Sequence, residues 1–243
     1  MARKRISETE RCRLFEKISK SIWSRLVRAH RVNTDLKEVG LTADIIVDIL
    51  NFNIDEVANF EIYAKPGWNE DIYGSDIDLF IETAPNHYRW FALQAKVLKK
   101  NNRYTSLRQV SHGTMQWEKL ALLEAISRCK SYYLLYNGHN SFKEVLPDDC
   151  KGAFVNEQYG CTFVEPRDIE RLANVTAGGT FVSPTFEDFH PQHAIPWRML
   201  TYCLHATSNM ILYPKNEVLK SNLAFVLFEE LPPDDEPQIY RVN

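Results

Sequence analysis

Residues 75–81 and 90–98 constrain the fold most, because each alternates with the two-residue period of an extended chain. In the first, Ile77, Leu79 and Ile81 face one way while Asp76, Asp78 and Phe80 face the other. In the second, Leu93, Ala95 and Val97 share one face, and Gln94, Lys96 and Leu98 the other. A polar connection holding Pro85 and Asn86 joins the two segments, so they read as neighbouring strands of one sheet. Adjacent pairing would gather Asp76, Asp78, Gln94 and Lys96 within a single site.

The flanking sequence supplies covers for such a sheet. Residues 8–30 predict an amphipathic helix, with Leu14, Ile18, Ile22 and Leu26 recurring every four residues and Phe15 and Trp23 widening the stripe. A second helix is expected to start at Thr42, an N-cap residue type, and to run through Ile45, Ile46, Ile49 and Leu50. Residues 60–64 read as a short strand ending at Lys65-Pro66-Gly67. After Gly113 a helix is expected from about Met115 to Cys129, with Trp117, Leu120, Ala121, Leu123 and Ala125 on its apolar stripe. Residues 132–136 read as a buried strand, their tyrosines as core, closed by Asn137-Gly138.

Residues 42–136 thus run α-β-β-β-α-β. Beyond them the pattern predicts a strand at 161–164, short helices at 167–173 and after Pro196, and a strand at 223–228. The expectation is an α/β fold, a mixed sheet flanked by helices with a C-terminal α+β elaboration. No repeat or linker divides it, so residues 1–243 read as one domain: a basic helix at 8–30, a core at about 38–140, the elaboration at 141–228 and an acidic tail at 229–243.

Charge and cysteine content narrow the function classes. The net charge of −3 argues against a coat protein for nucleic acid. The charge is nonetheless clustered: residues 1–31 hold ten Lys/Arg against three Asp/Glu, and residues 83–117 hold six Lys/Arg and no acid. The helix at 8–30 reads first as a docking helix with a solvated basic face, and second as a nucleic-acid surface. Five separated cysteines without a C-x-x-C pair suggest neither a disulfide framework nor a zinc ribbon. The sequon at Asn174 lacks a signal peptide, and no apolar run reaches membrane-spanning length, so a reduced, cytoplasmic protein with no membrane partner is expected. His190, His193, Cys203 and His205 match no zinc-ligand spacing, and no P-loop, dinucleotide fingerprint or hydrolase elbow occurs.

The chemistry of the four strand residues is specific. Carboxylates and an amide oxygen are hard ligands suited to Mg²⁺, and a lysine beside them can stabilise charge developing on a phosphate. The stretches Gly74-Ser75-Asp76-Ile77-Asp78-Leu79-Phe80 and Leu93-Gln94-Ala95-Lys96, in this element order, resemble the PD-(D/E)XK nuclease superfamily and its Mrr-like Q-x-K branch. With Gln116-Trp117-Glu118-Lys119-Leu120, residues 132–137 and Ile195-Pro196-Trp197, they also resemble an uncharacterised bacterial family within it.

The resemblance implies a restriction-endonuclease-like core and a Mg²⁺ (or Mn²⁺) dependent endonuclease. It makes Asp76 or Asp78 the acidic ligand, Gln94 the second ligand and Lys96 the catalytic lysine. Glu38 is the candidate acid of the first helix and Glu70 a further one, while Gln116 is either an auxiliary glutamine or a plain surface residue. Lys99, Lys100 and Arg103 would contact the nucleic acid. The implied partner is double-stranded DNA, with a homodimer or a defence-system protein as a further partner and restriction or anti-phage defence as the setting. Gln94 in place of the usual glutamate weakens metal binding by an order of magnitude or more on Coulombic grounds, so a site that needs millimolar Mg²⁺ or prefers Mn²⁺, or one that closes only around nucleic acid, is expected. Two alternatives stand beside this: a nuclease-like fold without catalysis that binds nucleic acid or protein, and an α/β interaction protein whose four residues line a wetted sheet face.

Overall fold

The computed structural model describes residues 8–55, 61–67, 70–139, 155–201 and 211–219. Helix α1 (Glu8–Arg31) forms as expected and buries Leu14, Phe15, Ile18, Ile22 and Leu26. Helix α2 begins at Glu38 and ends at Asp55. Thr42 is therefore not its N-cap but lies inside it, where Thr42 Oγ1 and Tyr136 Oη share a 2.9 Å hydrogen bond. The residue type suggested a cap, but its hydroxyl has a tertiary partner. Strand β1 (Ile62–Pro66) runs two residues beyond the expected end, and the short helix α3 (Glu70–Tyr73) follows.

Strands β2 (Ile77–Ala84) and β3 (His87–Val97) form the expected antiparallel hairpin, with Ile77 opposite Leu93 and Asp78 opposite Ala92. Asn86 closes the turn at φ 59°, a left-handed conformation Asn tolerates better than most residues. A small hairpin, β4 (Val110–Ser111) and β5 (Thr114–Met115), precedes helix α4 (Gln116–Ser127). Helix α4 buries Trp117, Leu120 and Leu123, whereas Ala121 and Ala125 are exposed, so the apolar stripe is narrower than expected. Buried polar residues, Gln116 and Lys119, complete its inward face. The helix carries the chain across to β6 (Lys130–Tyr136), which pairs parallel to β3.

Strand β7 (Cys161–Val164) follows a 3₁₀ turn at Asn156–Gly160 and pairs antiparallel to β6. Helix α5 (Pro166–Ala173), the hairpin β8 (Thr176–Ala177) and β9 (Thr180–Phe181), and the short helix α6 (Phe186–Phe189) come next. Strand β10 (Ile195–Pro196) pairs with β7, and where a helix is expected after Pro196 the described residues form a 3₁₀ turn, Trp197–Thr201. Strand β11 (Tyr213–Pro214) pairs with β3 and leads into α7 (Lys215–Val218). The expected strand at 223–228 and the acidic tail lie outside the described residues.

The fold is thus α/β, with a mixed sheet in the order β1-β2-β3-β6-β7-β10, flanked by helices. One face, carrying Ile77, Leu79, Ile81, Leu93, Ala95 and Val97, packs with the apolar stripes of α1 and α2 and with Trp197. The other carries Phe80, Trp90, Leu98, Tyr133 and Leu135 against α4, α5 and α6. The apolar half of each alternation read from the sequence is realised, and burial of both faces makes the register expensive to slip. Trp197 Nε1 donates to the Phe15 carbonyl at 2.8 Å, and Arg25 meets Asp44 at 2.7 Å, fixing α1 to the rest of the fold. Among the described residues, no helix is long and apolar enough to cross a membrane.

Candidate functional site

The site forms where β2 starts and β3 runs on past it. Asp76 is not part of the expected strand. It stands one residue before β2, its backbone N–H donating to the Leu93 carbonyl at 2.8 Å. From there its carboxylate reaches the backbone edge of β3 that β2 leaves unpaired beyond Leu93. Asp76 Oδ2 accepts from the Ala95 N–H at 2.7 Å and from Gln94 Nε2. The side chain thereby takes the place of a strand partner for β3, which explains why the ladder stops here.

Two glycines permit this path. The Gly67 N–H donates to the Asp76 carbonyl at 2.8 Å, and a Cβ on Gly67 would fall 1.9 Å from the Ser75 carbonyl oxygen. Gly74 turns the chain at φ +72°, with its Cα side facing the first turn of α4: a Cβ there would lie 3.1 Å from the Gln116 carbonyl oxygen. The turn read at Lys65-Pro66-Gly67 thus braces the acidic residue as well as ending a strand.

The remaining groups come from β3 and α2. Lys96 is 2% exposed, and its Nζ stands 3.7 Å from Glu38 Oε1 in the first turn of α2. Burial raises the Glu38 pKa above the ordinary carboxylate range; Lys96 opposes the rise and Glu70 adds to it. Asp76 is pushed up to about 8 by burial, against the attraction of Lys96 and with the repulsion of Glu38 and Glu70. Asp76 and Glu38, beside one lysine, are thus both held above the ordinary carboxylate range.

The four strand residues expected together are divided. Asp76, Gln94, Lys96 and Glu38 are joined. Asp78 sits 8% exposed beneath β2, where its Oδ1 accepts from Trp90 Nε1 at 3.1 Å and from Ser75 Oγ at 3.4 Å. The two acids look equivalent in the alternating pattern only if Asp76 is counted within the strand. Asp76 lies outside the strand and joins the cluster, whereas Asp78 is held by Trp90 and Ser75.

Three buried polar atoms in this region have no hydrogen-bond partner among the described residues: Gln94 Oε1, Gln116 Oε1 and Tyr133 Oη. An unsatisfied buried polar group costs about 1–3 kcal/mol, so such atoms point to bound water, ion or ligand. Gln116 is 3% exposed, which excludes the plain surface role. Tyr133 lies beside Gln94 in the β3–β6 register, and its phenol is pushed up by burial and by the charges of Asp76 and Glu38. The residue was legible as core; nothing in its sequence context marks the hydroxyl.

The amide Gln94 Oε1 and the carboxylates of Asp76 and Glu38 are the donors a hard divalent cation would take here. Among the described residues, no three His, Cys, Asp or Glu side chains form a metal cluster by themselves. His190 belongs elsewhere, buried with its ring stacked on Phe186 at 3.9 Å, and Cys203 and His205 lie outside the described residues.

The three cations expected to meet nucleic acid have different surroundings. Lys99 is half-buried and acts electrostatically on Glu38. Lys100 is exposed, with Nζ 3.1 Å from the Asn33 carbonyl. Arg103 is occupied by a structural contact, its Nη1 donating to the Ser183 carbonyl. A comparison with curated proteins gives no match. A family model spans residues 11–240, nearly the whole chain, and the protein accordingly belongs to the family of unknown function DUF6615.

Proposed function

We propose that this protein is a metal-dependent hydrolase of phosphodiester bonds, acting on double-stranded DNA. The observation that carries the reading is the convergence of Asp76, Gln94, Lys96 and Glu38 at the end of β3, with a buried amide oxygen that has no partner among the described residues. The element order α2-β1-β2-β3-α4-β6, with β3 and β6 parallel, agrees with a restriction-endonuclease-like core and with the PD-(D/E)XK resemblance.

Mg²⁺ or Mn²⁺ held by Asp76, Gln94 Oε1 and Glu38 would supply Lewis acidity and lower the pKa of a bound water. The chain's own groups do the rest. The Ala95 N–H and Gln94 Nε2 hold one Asp76 oxygen, leaving Oδ1 without a partner among the described residues. Lys96, buried and held toward Glu38, places a positive charge where charge develops on a phosphate, and it orients the attacking water. Burial keeps bulk water from screening this charge. Lys99 and Lys100 follow directly on β3 and supply cations for the phosphate backbone.

A cytoplasmic restriction or anti-phage defence role, alone, as a homodimer or with a partner protein, extends the same reading. The second reading, a binding module without catalysis, draws on Gln94 standing where a carboxylate would add charge, and on the described residues forming no metal cluster from His, Cys, Asp and Glu alone. Supercoiled plasmid separates the two. The wild type is expected to nick it in millimolar Mg²⁺ or Mn²⁺ and not in EDTA, and Lys96→Met to lose the activity while still binding DNA. Binding without nicking in either metal would select the module. Nicking that survives Lys96→Met would remove the proposed site.

A further inference from the structure

Helix α1 carries a charge pattern that its packing does not use. Arg13, Lys17, Lys20, Arg28 and Arg31 are all exposed. At about 100° per residue they fall within an arc of about 80°, and Ser24 lies within the same arc. None of these cations makes an ion pair with a described residue; Arg28 only donates to the Ser24 carbonyl of its own helix at 3.2 Å. The described acid of this helix, Glu16, is turned inward, where it pairs with Arg198 at 2.5 Å and accepts from Gln158 at 2.8 Å. Among the described side chains the outer face therefore carries positive charge alone. From Arg13 to Arg31 it extends about 27 Å, close to eight base pairs of duplex.

The stripe ends beside the candidate site. Just past α1, the Asn33 carbonyl accepts from Lys100 Nζ at 3.1 Å, and Asp35 Oδ1 accepts from the Lys100 N–H at 2.8 Å. Lys99 and Lys100 follow the strand that carries Lys96, and Lys99 acts on Glu38. The end of α1 is thus tied to the Lys99–Lys100 segment that follows the strand carrying Lys96. A membrane surface is a poor match, since interfacial helices insert an apolar face. Here that face (Leu14, Phe15, Ile18, Ile22 and Leu26) lies in the core.

We infer that the outer face of α1 is a tracking surface for the phosphate backbone of duplex DNA, delivering the strand to the site at the end of β3. The inference rests on the hydrolase reading for its destination but is tested by binding alone. The probe is a fluorescein-labelled 30-base-pair duplex, titrated by anisotropy in EDTA at several NaCl concentrations. Lys17→Ala/Lys20→Ala/Arg28→Ala is expected to weaken binding by about two orders of magnitude at 0.1 M salt. It should also reduce the slope of log K against log[salt] by about 2.7, or 0.9 per phosphate contact. Lys17→Arg/Lys20→Arg/Arg28→Lys should restore both, and Arg167→Ala/Arg171→Ala on α5 should change neither. An unchanged affinity and slope in the Ala variant overturns the inference, as does a wild type that binds phosphatidylserine vesicles but not the duplex. A wild type that binds through the stripe yet never nicks plasmid keeps the tracking surface and refutes the hydrolase. One that nicks while the Ala variant binds normally does the reverse.

Discussion

Replacing Gln94 by glutamate probes the site from both directions. In the wild type Gln94 Nε2 donates to Asp76 Oδ2, and Gln94 is fully buried. An ionised glutamate has no donor to offer, so two carboxylates would stand in contact. Like charges about 4 Å apart repel by roughly 4 kcal/mol at an effective dielectric of 20. Asp76, already at about 8, relieves this by sharing a proton with the introduced glutamate, and taking that proton up from solvent costs more as pH rises. Metal-free Gln94→Glu is therefore expected to lose about 3 kcal/mol at pH 8.5, a fall in Tm of roughly 6–12 °C for a chain of this size. The deficit should shrink below pH 6. With Mn²⁺ the same charge becomes a ligand: calorimetry should show Kd tightened at least tenfold, and the melting temperature should recover. Scanning fluorimetry in EDTA and in Mn²⁺ reads the whole cycle. Equal melting of both proteins in EDTA at pH 8.5, with equal Mn²⁺ affinity, would refute the pairing of Gln94 with Asp76 as a metal site.

Three further outcomes follow from the same geometry. The Asp76 pKa is raised on folding, so its contribution to stability is full below about pH 4 and is lost as pH rises toward 8. Metal-free Asp76→Asn, which keeps an acceptor for Ala95, should accordingly be more stable than wild type at pH 8 by roughly 2 kcal/mol in urea melts; lower stability there would reverse the sign of the electrostatics. Asp78→Ala leaves the buried Trp90 Nε1–H without its acceptor, so a loss of about 1–3 kcal/mol with unchanged Mn²⁺ affinity is expected from denaturation and calorimetry. His190 is depressed to about 3 by full burial, so stability present above pH 6.5 is lost as pH falls, by about 2 kcal/mol at pH 5; an NMR titration showing a His190 midpoint near 6.5 would contradict this.

Much of the architecture was legible because burial enforces periodicity. Ile77, Leu79 and Ile81, and Leu93, Ala95 and Val97, had to share a face, and they do. Thr42 misled because Ser/Thr residues favour caps through local bonding, whereas this hydroxyl bonds Tyr136 from a distant strand. Ala121 and Ala125 misled because a small apolar residue is tolerated on a solvated helix face, while Gln116 and Lys119 turn inward.

Within the site, the residue types in Gln94 and Lys96 indicated the chemistry. The choice between Asp76 and Asp78 did not follow from alternation, which presumes a strand that in fact begins after Asp76. Nor does any local pattern reveal that Glu38 would meet Lys96, because that contact depends on where α2 docks. Tyr133 illustrates a related limit: its ring follows the core pattern, while its unpartnered hydroxyl is a property of the assembled neighbourhood.

The central claim, that Asp76 and not Asp78 anchors a hydrolytic centre, meets its most direct test in cleavage rates. Supercoiled plasmid in Mn²⁺ is cut by the wild type, Asp76→Asn and Asp78→Asn in parallel, with folding checked by circular dichroism. Asp78→Asn, which retains an acceptor for Trp90, is expected to cleave within a few-fold of wild type, and Asp76→Asn to fall by at least two orders of magnitude. Full cleavage by Asp76→Asn, or selective loss in Asp78→Asn, would contradict the account.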